Sequence, residues 1–203
     1  MSEYQAVVGE AACDTEIKNS RFLARAHAVA DREHALAQVA QWRARYPDAR
    51  HCCWAYRIGP PQSPTAQAMS DDGEPSGTAG RPILQALHGA DISDCCIVVV
   101  RYFGGIKLGA AGLARAYGLA ARRVLAEMPL QTRVPSVCLR LYCRFGQEQI
   151  LRHQLGLLGG LITDLSYAEH VCLSVSLPQM HAEALRRFAQ IQQMRVDDLE
   201  ASS

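Results

Sequence analysis

The chain has 203 residues, 49% of them hydrophobic, with 21 Lys and Arg against 20 Asp and Glu for a formal net charge of +1. That length suits one large domain or two small ones with a real core, and the balanced charge excludes a globally basic nucleic-acid binder, so any attraction for phosphate must come from local asymmetry. The N-terminus, Met1-Ser2-Glu3-Tyr4-Gln5, lacks a basic region followed by an apolar one, and the longest apolar runs are far too short to span a bilayer, so neither a signal peptide nor a membrane partner is expected and the expected location is the cytoplasm.

Tyr4–Val8 and Phe22–Val29 alternate and carry β-branched or aromatic residues, which predicts a hairpin-like pair of strands. Asp31 can cap a helix whose apolar stripe is Ala35, Val39, Trp42 and Tyr46, and Pro47 ends it. Ala49–Ile58 reads as a strand. Gly59–Ser70 holds Pro60, Pro61 and Pro64 and is expected to be a mobile surface loop. Pro82 suits the first turn of a helix running to about Leu87, closed by Gly89. The continuous apolar run Cys95–Val100 predicts a buried strand. After a glycine turn, Leu113, Tyr117, Ala120 and Val124 share one helix face, while Arg115 and Arg122, seven apart, share the opposite one.

Pro129–Pro135 breaks the pattern, and a domain boundary is expected there, giving domains 1–130 and 135–203. Beyond it, Val137, Leu139 and Leu141 alternate with Arg140, Tyr142 and Arg144. Leu151, Leu155 and Leu158 make a helix stripe ended by Gly159-Gly160. Leu161–Tyr167 and Val171–Leu177 form a hairpin around Glu169. Pro178 starts a last helix with Ala184, Phe188 and Ile191 inward, and a short strand near Arg195-Val196 follows. This β-α-β-β-α-β order is the split β-α-β, ferredoxin-like pattern.

The eight cysteines, Cys13, Cys52, Cys53, Cys95, Cys96, Cys138, Cys143 and Cys172, lie mostly in apolar, strand-like segments and are read as small buried thiols. No C-x-x-C pair exists, and Cys52 and Cys53 fall on opposite faces of a strand, so a zinc site is not expected. No Ser-His-Asp set, H-E-x-x-H or kinase signature is present, and no catalytic residue is assigned. His51, a lone histidine after Arg50, is a candidate site residue without an assigned chemistry.

The segment Cys95 to Ala126 contains no Asp or Glu. It turns through Arg101-Tyr102-Phe103-Gly104-Gly105-Ile106-Lys107-Leu108-Gly109 into a helix carrying Arg115, Arg122 and Arg123. A strand, a glycine turn and a helix start without an opposing carboxylate can form an anion site, because helix-end amides point outward. Gly104 and Gly109 have Walker-loop spacing, but Ala110-Ala111 stand where Lys and Ser or Thr should be. Phosphate binding and simple backbone packing account equally for these glycines. Lys18-Asn19-Ser20-Arg21-Phe22 sets two cations beside an aromatic, as a phosphate grip with a stacked base requires. Ser70–Gly80, with Asp71, Asp72, Glu74 and Thr78, is either a hard-cation loop suited to magnesium or a solvated loop in which Thr78 or Ser76 caps the Pro82 helix.

Taken together, Lys18-x-Ser20-Arg21-Phe22, Ala49-Arg50-His51, Ser70-Asp71-Asp72-Gly73-Glu74-Pro75-x-Gly77-Thr78-Ala79-Gly80-x-Pro82 and Val99-Val100-Arg101-Tyr102-Phe103-Gly104-Gly105-x-x-Leu108-Gly109-x-x-Gly112-Leu113-x-Arg115-Ala116-Tyr117 resemble the IMPACT family, in particular its bacterial YigZ-type members. The resemblance implies an α+β protein in which a ribosomal protein S5 domain 2-like domain precedes a ferredoxin-like one, both similar in shape to the last two domains of elongation factor G. It further implies a link to translational regulation and contact with RNA or the ribosome. Ala110-Ala111 depart from the small hydroxyl or glycine residues often found in this turn, which removes one hydroxyl ligand.

The expected function is therefore that of a non-enzymatic, translation-related regulator without a cofactor. It would bind RNA or the ribosome through Lys18, Arg21, Arg101, Gly104, Gly105, Lys107, Gly109, Arg115 and Arg122, extended by the face of Arg140, Tyr142 and Arg144. The alternative is a magnesium-dependent enzyme or binder for a phosphorylated small molecule or nucleotide. There Asp71, Asp72 and Glu74 would hold the metal, and Arg101 and Lys107 the phosphates. A protein-interaction module using the same loop is a third reading. The oligomeric state is open.

Overall fold

The computed structural model describes residues 3–199. Met1 and Ser2 of the N-terminus, and the last four residues of the expected second domain, lie outside that span. The chain divides into two compact units, one from Tyr4 to Arg133 and the other beginning at Val134. Both mix strands and helices, so the protein is α+β.

The first unit runs β1 (Tyr4–Val7), β2 (Glu10–Ile17), β3 (Ser20–Ala28), α1 (Arg32–Arg45), β4 (His51–Ile58), β5 (Ala66–Ser70), α2 (Gly80–Ala90), β6 (Ile92–Ser93), β7 (Cys95–Tyr102), α3 (Gly109–Ala126) and β8 (Leu130–Arg133). Five strands form one antiparallel sheet in the order β2-β3-β7-β4-β5. Strand β7 lies at its centre and is apolar from Cys95 to Val100 because both its faces are covered there. Cys95, Ile97 and Val99 pack with α2 and α3, while Cys96, Val98 and Val100 pack with α1. The same alternation sends Cys53 to the first layer and Cys52 to the second. All eight thiols are free.

Helix α1 starts as its sequence predicts, with Asp31 Oδ1 accepting from the His34 amide at 2.7 Å. Its stripe buries Ala35, Val39 and Trp42, and the Trp42 indole donates to His27 Nε2 at 2.6 Å.

Several expectations are corrected. Tyr4–Val7 does not pair with the Phe22 strand. It forms a separate three-stranded sheet, β6-β1-β8, and the hairpin partner of β3 is Glu10–Ile17. The end of the expected loop, Ala66–Ser70, is an edge strand on β4. Gly89 lies inside α2, which closes instead on Asp91 in the left-handed region at φ 53°. Leu130–Arg133 is not a linker but a strand on β1 in the first unit, and the division at Val134 falls within the Pro129–Pro135 segment. These short strands are stabilised by distant partners rather than by local pattern.

The second unit runs β9 (Ser136–Cys143), α4 (Glu148–Leu157), β10 (Leu161–Tyr167), β11 (Val171–Pro178), α5 (Ala182–Ile191) and β12 (Arg195–Leu199), with sheet order β10-β11-β9-β12. Alternation holds in β9, where Leu139, Leu141 and Cys143 are buried. Arg144 lies just past the strand. Helix α5 buries Ala182, Leu185 and Ala189, with Phe188 at the edge of the stripe, while Ala184 and Ile191 face solvent. Two apolar stripes so close in phase are not separable by period alone. No helix among the described residues is long and apolar enough to cross a membrane.

Candidate functional site

The β2–β3 hairpin turns on Lys18 and Asn19, both at positive φ, as a two-residue primed turn requires. Its backbone packs against Gly104. A Cβ at that position would overlap the main chain of Asn19 and Ser20, and the Gly104 amide donates to Ser20 Oγ at 3.1 Å. Gly105 and Gly109 instead supply positive φ, at 85° and 69°. The three glycines thus shape the turn that delivers β7 to α3. Helix α3 begins without a side-chain cap and without an acidic residue in its first turn. Its leading amides are unmatched donors at the positive end of an 18-residue helix.

That end opens into a cleft of about 550 Å³ lined by Arg50, His51, Glu74, Arg101, Phe103, Lys107 and the Leu108–Ala110 turn, with Asp48, Pro75, Tyr102 and Leu113 completing it. Arg50 and Lys107 are exposed, and neither forms a salt bridge among the described residues. Phe103 is 57% exposed.

The cleft is not free of carboxylates, and this corrects the expectation drawn from the acid-free segment. Arg101 is buried, not a surface phosphate contact. Its guanidinium donates to Glu74 Oε1 at 2.7 Å and stands 5.7 Å from the ring centres of both Phe22 and Phe103. Tyr117 Oη donates to the same oxygen at 2.8 Å. Sequence separation hid this pair, because Glu74 arrives from a different loop. Burial, with Cys53 and Glu74 adding to it, pushes the Tyr117 phenol up. Burial likewise pushes up the Cys53 thiol, which lies 3.0 Å from the Asp71 carbonyl, so no activated nucleophile results.

The remaining acids of the Ser70–Gly80 loop are engaged inside it. Asp71 accepts from Gly77 N at 2.7 Å, Ala79 N at 2.9 Å and Gly80 N at 2.8 Å, which caps α2 from a distance. Thr78, expected as that cap, donates to the Pro75 carbonyl at 2.6 Å instead. Asp72 takes the Cys52 amide at 2.7 Å and Arg43 at 2.6 Å. A magnesium role for these carboxylates would have to displace such bonds. Among the described residues no group of three or more His, Cys, Asp or Glu is placed to hold a metal ion.

Burial disfavours ionisation of Asp71, but the three amides outweigh it and hold the carboxyl below its ordinary range. A depressed folded-state value contributes stability that is complete above the unfolded value near pH 4 and is lost as pH falls further. Urea unfolding is therefore expected to show the native chain losing stability below about pH 4 more steeply than Asp71→Asn. Parallel curves would remove the assignment.

Of the residues selected from sequence, His51, Glu74, Arg101, Lys107 and Gly109 meet in the cleft. Lys18 and Arg21 are exposed on the neighbouring hairpin. Arg115 and Arg122 line a separate, larger cavity of about 810 Å³ between α2 and α3, with Pro82, Gly118 and Leu125 among its walls. Arg50 and Phe103 were legible only as neighbours of chosen residues: one precedes His51, the other is the aromatic before the glycine pair.

Residues 18–125, from the hairpin turn to the end of α3, match the family model of the Impact N-terminal domain. The class is thus that of proteins carrying this domain. IMPACT family member YigZ of Escherichia coli K12 is 40% identical over 163 residues, 80% of each chain. IMPACT family member YvyE of Bacillus subtilis 168 is 46% identical over 102 residues, covering 50% of this chain and 46% of that protein. The crystal structure of a hypothetical protein, 34% identical, superposes with a TM-score of 0.72 over 100% of both chains. The chain belongs to the IMPACT family, as a YigZ-type member.

Proposed function

We propose that this chain is a non-enzymatic, translation-related protein of the cytoplasm that binds single-stranded RNA, alone or on the ribosome, through the cleft at the start of α3. The observation that carries the proposal is the meeting of an uncapped, acid-free helix N-terminus with Arg50 and Lys107, cations without a salt bridge among the described residues, and the exposed ring of Phe103. Phosphates suit the amides and cations, and a base suits the ring. Family membership supports the link to translation. The proposal takes residues 4–133 as a ribosomal protein S5 domain 2-like fold and the second unit as ferredoxin-like. The strand order β10-β11-β9-β12 in a β-α-β-β-α-β chain supports the latter.

Filter binding to a single-stranded RNA over a salt series is the test. Log affinity is expected to fall linearly with log salt, and Lys107→Ala and Arg50→Ala each to reduce the slope by about 0.7. Arg115→Ala, in the other cavity, is expected to leave the slope unchanged. No binding at low salt would overturn the proposal.

A further inference from the structure

We infer that the cleft selects ribose over deoxyribose, with His51 Nε2 accepting a hydrogen bond from a sugar 2′-hydroxyl; this rests on the RNA proposal and adds which sugar the site takes. His51 Nδ1 lies 3.0 Å from the Asp72 carbonyl oxygen. A carbonyl only accepts, so in the neutral ring the proton sits on Nδ1 and Nε2 presents its lone pair. The ring is held there by its surroundings. The next amide along β4, Cys52 N, is bound by the Asp72 carboxylate at 2.7 Å, Arg43 ties that carboxylate at 2.6 Å, and Gly73 lies so close that a Cβ would stand 3.4 Å from Nδ1.

Nε2 stands 4.0 Å from Glu74 Oε1, too far for a direct hydrogen bond. Glu74 Oε1 already accepts from Arg101 and Tyr117, so Nε2 is the acceptor left for a ligand in this part of the cleft, and a phosphodiester, which carries no donor, cannot satisfy it. Its place is with Arg50, Lys107 and the α3 amides. The ligand that serves both parts carries a donor next to a phosphate. In RNA the 2′-hydroxyl is on the carbon adjacent to the 3′-phosphate, and DNA lacks it.

The test compares single-stranded RNA, 2′-O-methyl RNA and DNA of one sequence. RNA is expected to bind roughly fivefold to tenfold more tightly than DNA, the worth of one hydrogen bond, and the methylated strand to bind like DNA. His51→Asn keeps a donor for the Asp72 carbonyl but has no acceptor at the Nε2 position. It is expected to bring RNA affinity down to that of DNA, removing the difference between the two sugars. Should that variant not fold, the methylated strand on the native chain decides alone. Equal binding of RNA and DNA with a normal salt slope overturns the inference and leaves the phosphate-binding cleft standing. A preference that survives methylation or His51→Asn also overturns it. Failure to bind either strand at low salt overturns the RNA proposal itself.

Discussion

Glu74→Ala is expected to lower the unfolding free energy by about 3–5 kcal/mol, the cost of leaving one partner of a buried ion pair alone. Arg101 and Glu74 are 6% and 8% exposed, so water cannot replace the lost carboxylate. The same substitution strips Tyr117 Oη, fully buried, of its acceptor. Urea unfolding should show a lower midpoint at an unchanged slope with denaturant. Glu74→Gln, which keeps an acceptor but not the charge, should lose less. The double change Arg101→Met with Glu74→Leu should recover most of the stability, because two apolar groups of similar size leave no charge uncompensated. A loss below about 1 kcal/mol for Glu74→Ala, the range of an exposed pair, would show that water reaches the guanidinium. The pair also bears on the cleft, since it holds Arg101 between Phe22 and Phe103.

Gly104→Ala is expected to cost roughly 3 kcal/mol, at the upper end of overpacking effects. The obstacle is the main chain of Asn19 and Ser20, which cannot rotate aside as a side chain would. Relief requires the Lys18-Asn19 hairpin to separate from the end of β7, with loss of the Gly104–Ser20 hydrogen bond. Gly105→Ala provides the contrast: its Cβ would meet open space, and only the positive φ opposes it, at about 1–2 kcal/mol. Equal effects at the two positions, read from denaturant midpoints, would show that backbone conformation and not close approach governs this turn. Because the hairpin braces the loop that carries Lys107, Gly104→Ala should also weaken the proposed RNA binding while Gly105→Ala weakens it less.

Periodic elements were legible because their signal is local. Helix α1 could be read from Asp31 and its 3.6-residue stripe, β7 from an unbroken apolar run, and the order of the second unit from alternation and glycine breaks. Strand β2 was missed although its accessibility alternates, because its small, acidic and threonine side chains, as in Ala11, Ala12, Asp14 and Thr15, give a weak apolar pattern. Strands β5 and β8 sit inside proline-flanked stretches, and only pairing with β4 and β1 makes them strands.

The linear chain by itself determined the glycine turn before α3, the start of α1 and which residues carry charge, since these follow from backbone geometry and periodicity within a few positions. It also singled out five residues of the cleft, His51, Glu74, Arg101, Lys107 and Gly109, but neither Arg50 nor Phe103. Only the tertiary structure decided how charge is distributed there. Glu74, 27 residues from Arg101, crosses from the Ser70–Gly80 loop to neutralise it, while Arg115 and Arg122 turn away to another cavity. Electrostatic interaction depends on distance through space and on burial, and a stretch free of acids in sequence is not free of them in the fold.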